Sequence, residues 1–326
     1  MLELVDLFCG AGGMTLGLRQ AGIEPRLGID SDEACVSTYA RNFKGARTLV
    51  SDIHEVTDKL ILSSVSSREN LVMSGCPPCR LFSRLHRHDL PAGREIARYL
   101  FLVDKVRPAY LVFENVPQIC KYESIWDDIL ATLDKCQYKA SHKIVLASDY
   151  GVPQHRERLL LVAASTEVRI PDPARKYAPT VRKAIGHLPE SDSSIPNHVS
   201  MRPSPENLDR LRRTPNDGGK SRVTGCSFSD SYARMHWERP SPTITTKCIS
   251  FSNGRFGHPE YDRAITVREA AYLQGFPPSF RFVGNLAQTA AQVGNAVPPP
   301  LAKVLGLAVV RHSQANATVT GRLLKA

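Results

Sequence analysis

No stretch of the sequence approaches the ~18 apolar residues that a membrane-spanning helix needs. The first residues, Met1-Leu2-Glu3-Leu4-Val5-Asp6, hold no basic segment ahead of an apolar one and do not read as a signal peptide. A cytoplasmic protein with no membrane partner is expected. The eight cysteines (9, 35, 76, 79, 120, 136, 226 and 248) fall into no repeating framework, so free thiols are expected. There is one Cys-x-x-Cys, no second one and no His pair at zinc spacing, so no metal centre is expected. Internal repeats are also absent.

At 326 residues, 42% of them hydrophobic, the chain is long enough for a sizeable core and two domains. Its net charge of +10 permits a polyanionic partner without requiring one. From Ser165 the texture changes to Pro, Ser, Asn and Arg with few long apolar runs. Residues 165–285 hold 18 Lys and Arg against 12 Asp and Glu, so this part is the better candidate for facing a polyanion.

The apolar run Leu71-Val72-Met73 reads as the end of a buried strand over 70–74. It stops at Gly75-Cys76-Pro77-Pro78-Cys79. Proline lacks the N–H that a further ladder bond needs, and two in a row fix a stiff, extended turn. A thiol at the carboxyl end of a strand sits where open α/β sheets place ligands. Cys79 is therefore a candidate nucleophile. The polar, basic residues 84–94 that follow read as a long loop suited to closing over an anionic substrate. A helix is expected over 95–106.

Residues 2–8 read as a strand running into Cys9-Gly10-Ala11-Gly12-Gly13, with a helix after it. This is not the GxGxxG fingerprint, and no Lys-Ser/Thr follows as in a P-loop. The glycines still let a backbone approach a ligand closely. A second strand, 25–29, ends at Asp30, placed to accept from ribose hydroxyls or to cap the helix over 32–42; both can hold, since Ser31 or Asp32 could be the cap instead. A short strand over 47–50 leads to Asp52. The strand over 108–113 ends at Glu114, where a desolvated carboxyl can act as an acid. A helix over 126–136 and a strand over 138–146 follow. Arg156 and Arg158 share one face of the next strand and could grip a phosphate or a base carbonyl. Thr266 and Glu269 have capping-box spacing for a short helix. The last helix is expected over 301–311, with a polar, frayed tail.

The order of these motifs is specific. Asp6-Leu7-Phe8-Cys9-Gly10-Ala11-Gly12-Gly13 is followed by Pro77-Pro78-Cys79, Glu114-Asn115-Val116 and Gln154-His155-Arg156-Glu157-Arg158. Arg239-Pro240 to Thr245-Thr246, Arg268-Glu269-Ala270-Ala271 to Gly275-Phe276-Pro277, and Gly294-Asn295-Ala296-Val297 complete the series. The sequence resembles the DNA (cytosine-5)-methyltransferase family, bacterial type, over residues 1 to about 310.

That resemblance implies an α/β fold, a Rossmann-like S-adenosylmethionine-dependent methyltransferase sheet with a smaller, loop-rich target-recognition domain. The catalytic and cofactor-binding domain would take 1–164 plus about 286–326, and the target-recognition domain about 165–285. Phe8, Gly10 and Gly12 would line the methionine end of S-adenosylmethionine, Asp30 the ribose, and Asp52 with Ile53 the adenine. Pro78, Leu100, Asn295 and Val297 would close that pocket. Cys79 would attack carbon 6 of a flipped cytosine, Glu114 would serve N3, Arg158 the base carbonyl, and Arg156 would steady the pocket. Arg80, Ser83, Arg84, Arg87 and Thr245 would contact DNA. The implied protein is a monomer associated with the nucleoid, acting on double-stranded DNA, with a cognate restriction endonuclease acting separately. The family commonly has Gln after the nucleophile; here it is Arg80, whose charge would lower the thiol pKa or displace the loop. Three rival readings stay open at this point: a redox Cys-x-x-Cys, a tRNA methyltransferase, and a DNA-binding relative without activity.

Overall fold

The computed structural model describes residues 1–78, 93–173, 178–221 and 231–323. Cys79, Arg80, Ser83, Arg84 and Arg87, with the loop around them, lie outside the described residues. The chain divides into two compact units. Unit 1 is Met1–Val145, Glu157–Asp172 and Leu301–Ala326; unit 2 is Leu146–Arg156 and Pro173–Pro300.

Unit 1 is built on a seven-stranded sheet. In chain order it runs β1 (Glu3–Leu7), α1 (Gly13–Gln20), β2 (Glu24–Asp30), α2 (Glu33–Asn42), β3 (Arg47–Val50), α3 (Asp58–Ser63), β4 (Leu71–Gly75), α4 (Arg94–Val106), β5 (Tyr110–Asn115), α5 (Glu123–Lys135), β6 (Lys139–Leu146) and β7 (Glu157–Ala164). The strand order is β3-β2-β1-β4-β5-β7-β6. The pairs β2–β3, β1–β2, β1–β4 and β4–β5 are parallel, and β7 runs antiparallel to β5. Every residue of β1, β4 and β5 is buried, as expected of parallel strands covered on both faces. Strand order reverses between β1 and β4, and ligands of open sheets bind at such a switch. Leu7 is level with Gly75, and Gly75 with Phe113, so the carboxyl ends of these three strands stand side by side.

Helices form where one face can be buried. On α4, Ile96, Tyr99, Leu100, Leu102, Val103 and Val106 are buried. Each such side chain contributes about 1.5–3 kcal/mol on burial. That outweighs the roughly 1–2 kcal/mol cost of the left-handed Arg107 (φ 52°) that ends the helix. On α5, Ile125, Ile129 and Leu133 repeat at four-residue spacing.

Several boundaries differ from the sequence expectation. The fifth strand begins at Tyr110, because Pro108 has no N–H to offer, and it continues through Glu114 and Asn115, which pair with Leu160 and Leu159 of β7. The last helix, α10, runs from Pro299 to Leu323, well past Arg311 and through the expected frayed tail. His312 anchors it, bonding Tyr110 (3.1 Å) and Thr166 (2.9 Å). Residues 146–156 and 286–300, expected with the first domain, group with unit 2, while 165–172 group with unit 1. Side-chain bonds from Gln154, Arg156 and Gln274 to nearby carbonyls account for the former, and the Lys143–Asp172 ion pair and the Thr166–His312 bond for the latter.

Unit 2 contains α6 (Val181–Ile185), α7 (Pro205–Arg213), α8 (Val267–Leu273) and α9 (Leu286–Asn295), joined by long loops. Its loops are held by buried arginines. Arg234 donates to the carbonyls of Leu211, Thr214, His258 and Tyr261 and to Asp262. Arg263 forks onto Glu269 with two 2.8 Å bonds. Glu269 also accepts from Thr266 N, while Thr266 Oγ1 accepts from Glu269 N, so the capping box read from the sequence is present. His198 Nε2 donates to Pro189 O, which leaves Nδ1 to accept from the Thr266 hydroxyl at 2.9 Å. Among the described residues no single helix is long and apolar enough to cross a membrane.

Thr266→Ala removes a helix cap and strands His198 Nδ1 at once. We expect a loss of about 2–3 kcal/mol, measured by urea unfolding. A second prediction concerns pH. His258 is buried and accepts from Glu260 N and Tyr261 N through Nδ1. Desolvation, then the Arg263 and Arg234 charges, push its pKa down to about 3. Its folded value lies below the unfolded one, so its stabilisation is full above about pH 6.5 and is lost as pH falls toward 3. The stability difference between wild type and His258→Asn should shrink by about 2 kcal/mol between pH 6.5 and pH 5. A pH-independent difference would contradict a buried neutral His258.

Candidate active site

The loop after β1 enters the left-handed region three times. Phe8 (φ 58°), Gly10 (φ 51°) and Gly12 (φ 96°) all lie in the left-handed region. For a bulky residue such as Phe8 this costs about 1–3 kcal/mol and is kept only where the surroundings enforce it. Here Cys9 N donates to Ile29 O (3.0 Å), Gly10 N to Asp30 Oδ2 (2.8 Å) and Gly12 N to Cys9 O (2.9 Å). The two glycines differ in their surroundings. A Cβ on Gly12 would sit 2.3 Å from the Phe43 ring and 3.1 Å from Tyr39, whereas a Cβ on Gly10 would meet nothing within 4 Å.

Asp30 was read as either a ribose acceptor or a helix cap. The cap of α2 is Asp32, whose carboxylate accepts from Cys35 N at 3.0 Å. Asp30 instead accepts from Gly10 N and from Asp32 N, which orient its carboxylate beside the loop. Burial raises its pKa, against those backbone bonds. Asp52 follows β3, is exposed and accepts from His54 N at 2.8 Å. Ile53 beside it is buried, and Arg98 of α4 donates to the Ile53 and Val56 carbonyls.

After β4, Cys76 is half-buried, Pro77 buried and Pro78 exposed. The Asn115 side chain donates from Nδ2 to Pro77 O (3.1 Å) and accepts from Val116 N (2.8 Å). It thereby ties the end of β5 to the turn that leads to residue 79. Glu114 is 7% exposed, and Arg158 Nε lies 2.8 Å from its Oε1. Because β7 is antiparallel to β5, the first residues of β7 stand at the carboxyl end of β5. That is how Arg158, 44 positions away in sequence, reaches Glu114.

Not every expected residue joins this set. Leu100 packs into the hydrophobic core of unit 1. Arg156 belongs to unit 2 and is 3% exposed, with its guanidinium donating to the carbonyls of Ile244 (2.9 Å), Gly294 (3.1 Å) and Ala296 (3.4 Å). So Arg156 and Arg158, expected as a pair on one strand face, serve different environments. Gln154 and Gln274 extend the Arg156 arrangement, Gln154 to Ile244 N, Leu273 O and Gln274, and Gln274 to Val293 O. In the same unit Thr245 is exposed, Asn295 is the exposed last residue of α9, and Val297 is buried.

Sequence reasoning assigned no role to two residues that matter here. Asn115 was visible only as part of a motif. Asp6 could have been flagged as a carboxylate inside an otherwise buried strand. It is fully buried, with Oδ1 accepting from Ser74 Oγ (2.5 Å) and Oδ2 from Thr15 Oγ1 (2.6 Å). Burial pushes its pKa up to about 6.

The sheet order, the glycine loop after β1 and the carboxylate ending β2 define the α/β, Rossmann-like fold of S-adenosylmethionine-dependent methyltransferases. Solved structures with this fold include a prophage-encoded protein from E. coli (24% identical, TM-score 0.78, 95% of this chain and 99% of that one). The Dnmt2 methyltransferase of S. pombe is another (17% identical, TM-score 0.69, 98% and 100%). Residues 2–311 match the sequence model of the C-5 cytosine-specific DNA methylases, and the chain belongs to that family. It is 33% identical to the Type II methylase M.HgiDII of Herpetosiphon aurantiacus, across 94% of this chain and 95% of that protein. It is 32% identical to the Type II methyltransferase M1.HphI of Haemophilus parahaemolyticus, across 95% and 87%. Membership implies use of S-adenosylmethionine. The loop fits such a ligand, because the space beside Gly10 is open and the Asp30 carboxylate is held next to it.

The two glycines should separate experimentally. Gly12→Ala drives a Cβ into Phe43 in a backbone conformation that disfavours it, and should cost about 2–4 kcal/mol. Gly10→Ala meets no atom and should cost about 1–2 kcal/mol, from φ alone. Paired thermal and urea unfolding check the order; equal losses would contradict it.

Proposed function

We propose that the chain transfers a methyl group to carbon 5 of cytosine in duplex DNA, with Cys79 as the attacking thiolate. The observation that carries this reading is the buried Glu114–Arg158 pair, set next to the Asn115–Pro77 contact that holds the turn leading to Cys79. A buried ion pair adds little net stability, and removing one partner is strongly destabilising. Its presence at a strand end supports a chemical role.

Cytosine carbon 5 is a poor nucleophile. Attack by the Cys79 thiolate forms an S–C6 bond and moves an electron pair toward N3, which makes carbon 5 enamine-like. Glu114, carrying a proton, donates it to N3 as that charge develops, and Arg158 orients Glu114 and binds the base carbonyl. S-adenosylmethionine supplies the electrophilic methyl group. The carbon-5 proton then leaves to a base, the S–C6 bond breaks, and the thiolate is restored. The strained Phe8–Gly12 loop with Asp30, Asp52 and Ile53 holds the cofactor in this reading. The reacting base must leave the helical stack, so base flipping is part of it.

The basic region about 165–285 is the target-recognition part of this reading, and its modest size suits a short DNA site. Thr245 contacts DNA there, and Arg80, Ser83, Arg84 and Arg87 do so from the loop. Arg156, fastened to three carbonyls, acts by steadying the 244–246 and 294–296 segments. The Type II designation of the relatives supports a restriction-modification pairing with an endonuclease that acts separately. A monomer in the bacterial cytoplasm, bound to the nucleoid, completes the proposal.

The test is methyl transfer from labelled cofactor to duplex DNA or to tRNA, with trapping on DNA containing 5-fluorocytosine. Transfer to DNA and a covalent adduct are expected with wild type, no adduct with Cys79→Ser, and retained transfer with Cys76→Ser. Glu114→Gln should lower kcat by about 10²–10⁴. Transfer to tRNA alone, or an equal adduct with Cys79→Ser, would falsify the reading. Loss of all activity in Cys76→Ser would favour the redox alternative.

A further inference from the structure

Asp6 has a setting that the reaction scheme above leaves unused. Its carboxyl is fully buried in the middle of β1 and forms no ion pair among the described residues. The groups that face it are acidic or neutral: Asp30 from β2, Cys9 from the loop, Tyr39 from α2 and Tyr99 from α4. Ser74 of β4 and Thr15 of α1 each donate a hydroxyl to it, and Thr15 is 3.0 Å from the Tyr39 hydroxyl. The cation on α1, Arg19, is turned to Asn42 O and the Phe43 ring. Asp30, the other carboxyl here, accepts from backbone N–H groups, Gly10 and Asp32 among them, and pairs with no cation among the described residues. The region thus carries buried negative charge with no cation paired to it among the described residues, two residues before the loop that begins at Phe8. Leaving an ionised carboxylate buried in this way is unfavourable unless positive charge arrives from elsewhere.

We infer that Asp6 is a specificity-determining residue of the cofactor loop, whose buried charge favours a cationic sulfonium ligand over the neutral thioether that methyl transfer leaves behind. The inference rests on the proposed use of S-adenosylmethionine. S-adenosylmethionine and S-adenosylhomocysteine share the adenosine and the amino acid and differ by the methyl group and one positive charge. At an effective dielectric near 20, a unit charge within about 10 Å changes affinity on the order of tenfold. That field would hold the methyl donor and weaken the spent product, easing its release. The hydroxyls of Ser74 and Thr15 keep the carboxylate hydrogen-bonded without cancelling its charge, as an arginine would.

The sign with pH follows. Burial raises the Asp6 pKa to about 6, so its charge is present above that value and lost below it. A bound cation favours the ionised form, so sulfonium affinity should fall as pH drops through about 6, while thioether affinity should not. Calorimetric titration of the intact chain with each ligand at pH 5.5 and 7.5 tests this, beside Asp6→Asn, which keeps one acceptor and one donor for the two hydroxyls. We expect the wild-type preference for the sulfonium to be about threefold larger at pH 7.5 than at pH 5.5, because a tenfold coupling to a group titrating near 6 is only partly removed at pH 5.5, and Asp6→Asn to lose that pH-dependent preference. Equal weakening of both ligands in Asp6→Asn, or parallel pH profiles in wild type, would overturn the inference and leave Asp6 a packing residue. If Asp6→Asn does not fold, the wild-type profiles alone decide: a sulfonium preference that grows from pH 5.5 to pH 7.5 supports the inference, and parallel profiles overturn it. Failure of wild type to bind either ligand at any pH would remove the cofactor reading itself.

Discussion

The Asp6 carboxyl sits in the middle of β1 with one oxygen on Ser74 of β4 and the other on Thr15 of α1. Those two bonds join the strand and helix that flank the glycine loop to the strand that leads toward Cys79. Polar burial of this kind is tolerated because both carboxylate oxygens are satisfied. It also sets the local geometry: β1 and β4 are level at Leu7 and Gly75, so the two turns leave the sheet side by side. β5 is level with β4 at Phe113, and its next residues, Glu114 and Asn115, complete the row. A reaction that needs a thiol, a carboxyl and a loop-bound cofactor can be served from such a row because parallel strands present all their carboxyl ends at one edge.

The two units solve the packing problem differently. Unit 1 buries continuous apolar strands and one face each of α4 and α5. Among the described residues unit 2 has no comparable sheet, and its loops converge on buried guanidiniums. Arg234, Arg156 and Arg263 each satisfy several carbonyl or carboxylate oxygens that loop backbone would otherwise leave without partners. Arginine suits this because its planar fork carries five donors in a fixed arrangement. These residues are basic in composition yet unavailable to a polyanion, so the net charge of this part of the chain overstates its exposed positive surface.

Much of unit 1 was legible in the sequence. The strands expected over 47–50 and 138–146 and the helix over 95–106, like the Thr266–Glu269 capping box of unit 2, follow from local pattern, because burial on both faces, turn residues and caps leave local marks. The site was legible in part. Glu114 and Arg158 could be named as candidates, but only the antiparallel return of β7 brings them to 2.8 Å. The choice between Asp30 and Asp32 as the cap of α2 was open until the carboxylates could be seen to face different N–H groups. Arg156 and Arg158, two residues apart, looked equivalent by strand period, yet one is fastened among backbone carbonyls and the other to a carboxylate. The tail beyond Arg311 looked frayed because it is polar; the His312 bonds to Tyr110 and Thr166 that hold it come from distant strands.

By itself, the sequence determined the order of strands and helices along the chain, the glycine loop, the end of β4 ahead of Pro77 and Pro78, and membership of the C-5 cytosine-specific DNA methylases. These depend on neighbouring residues, or on motifs in a set order, and each is written along the chain. The tertiary structure alone decided which charged groups meet, which are balanced and which are not. Asp6 on two hydroxyls, Glu114 with Arg158, and Asn115 on Pro77 are outcomes of register and burial. Both are set by contacts between segments far apart in sequence, and an electrostatic energy depends on the distance and the dielectric between groups rather than on their spacing along the backbone.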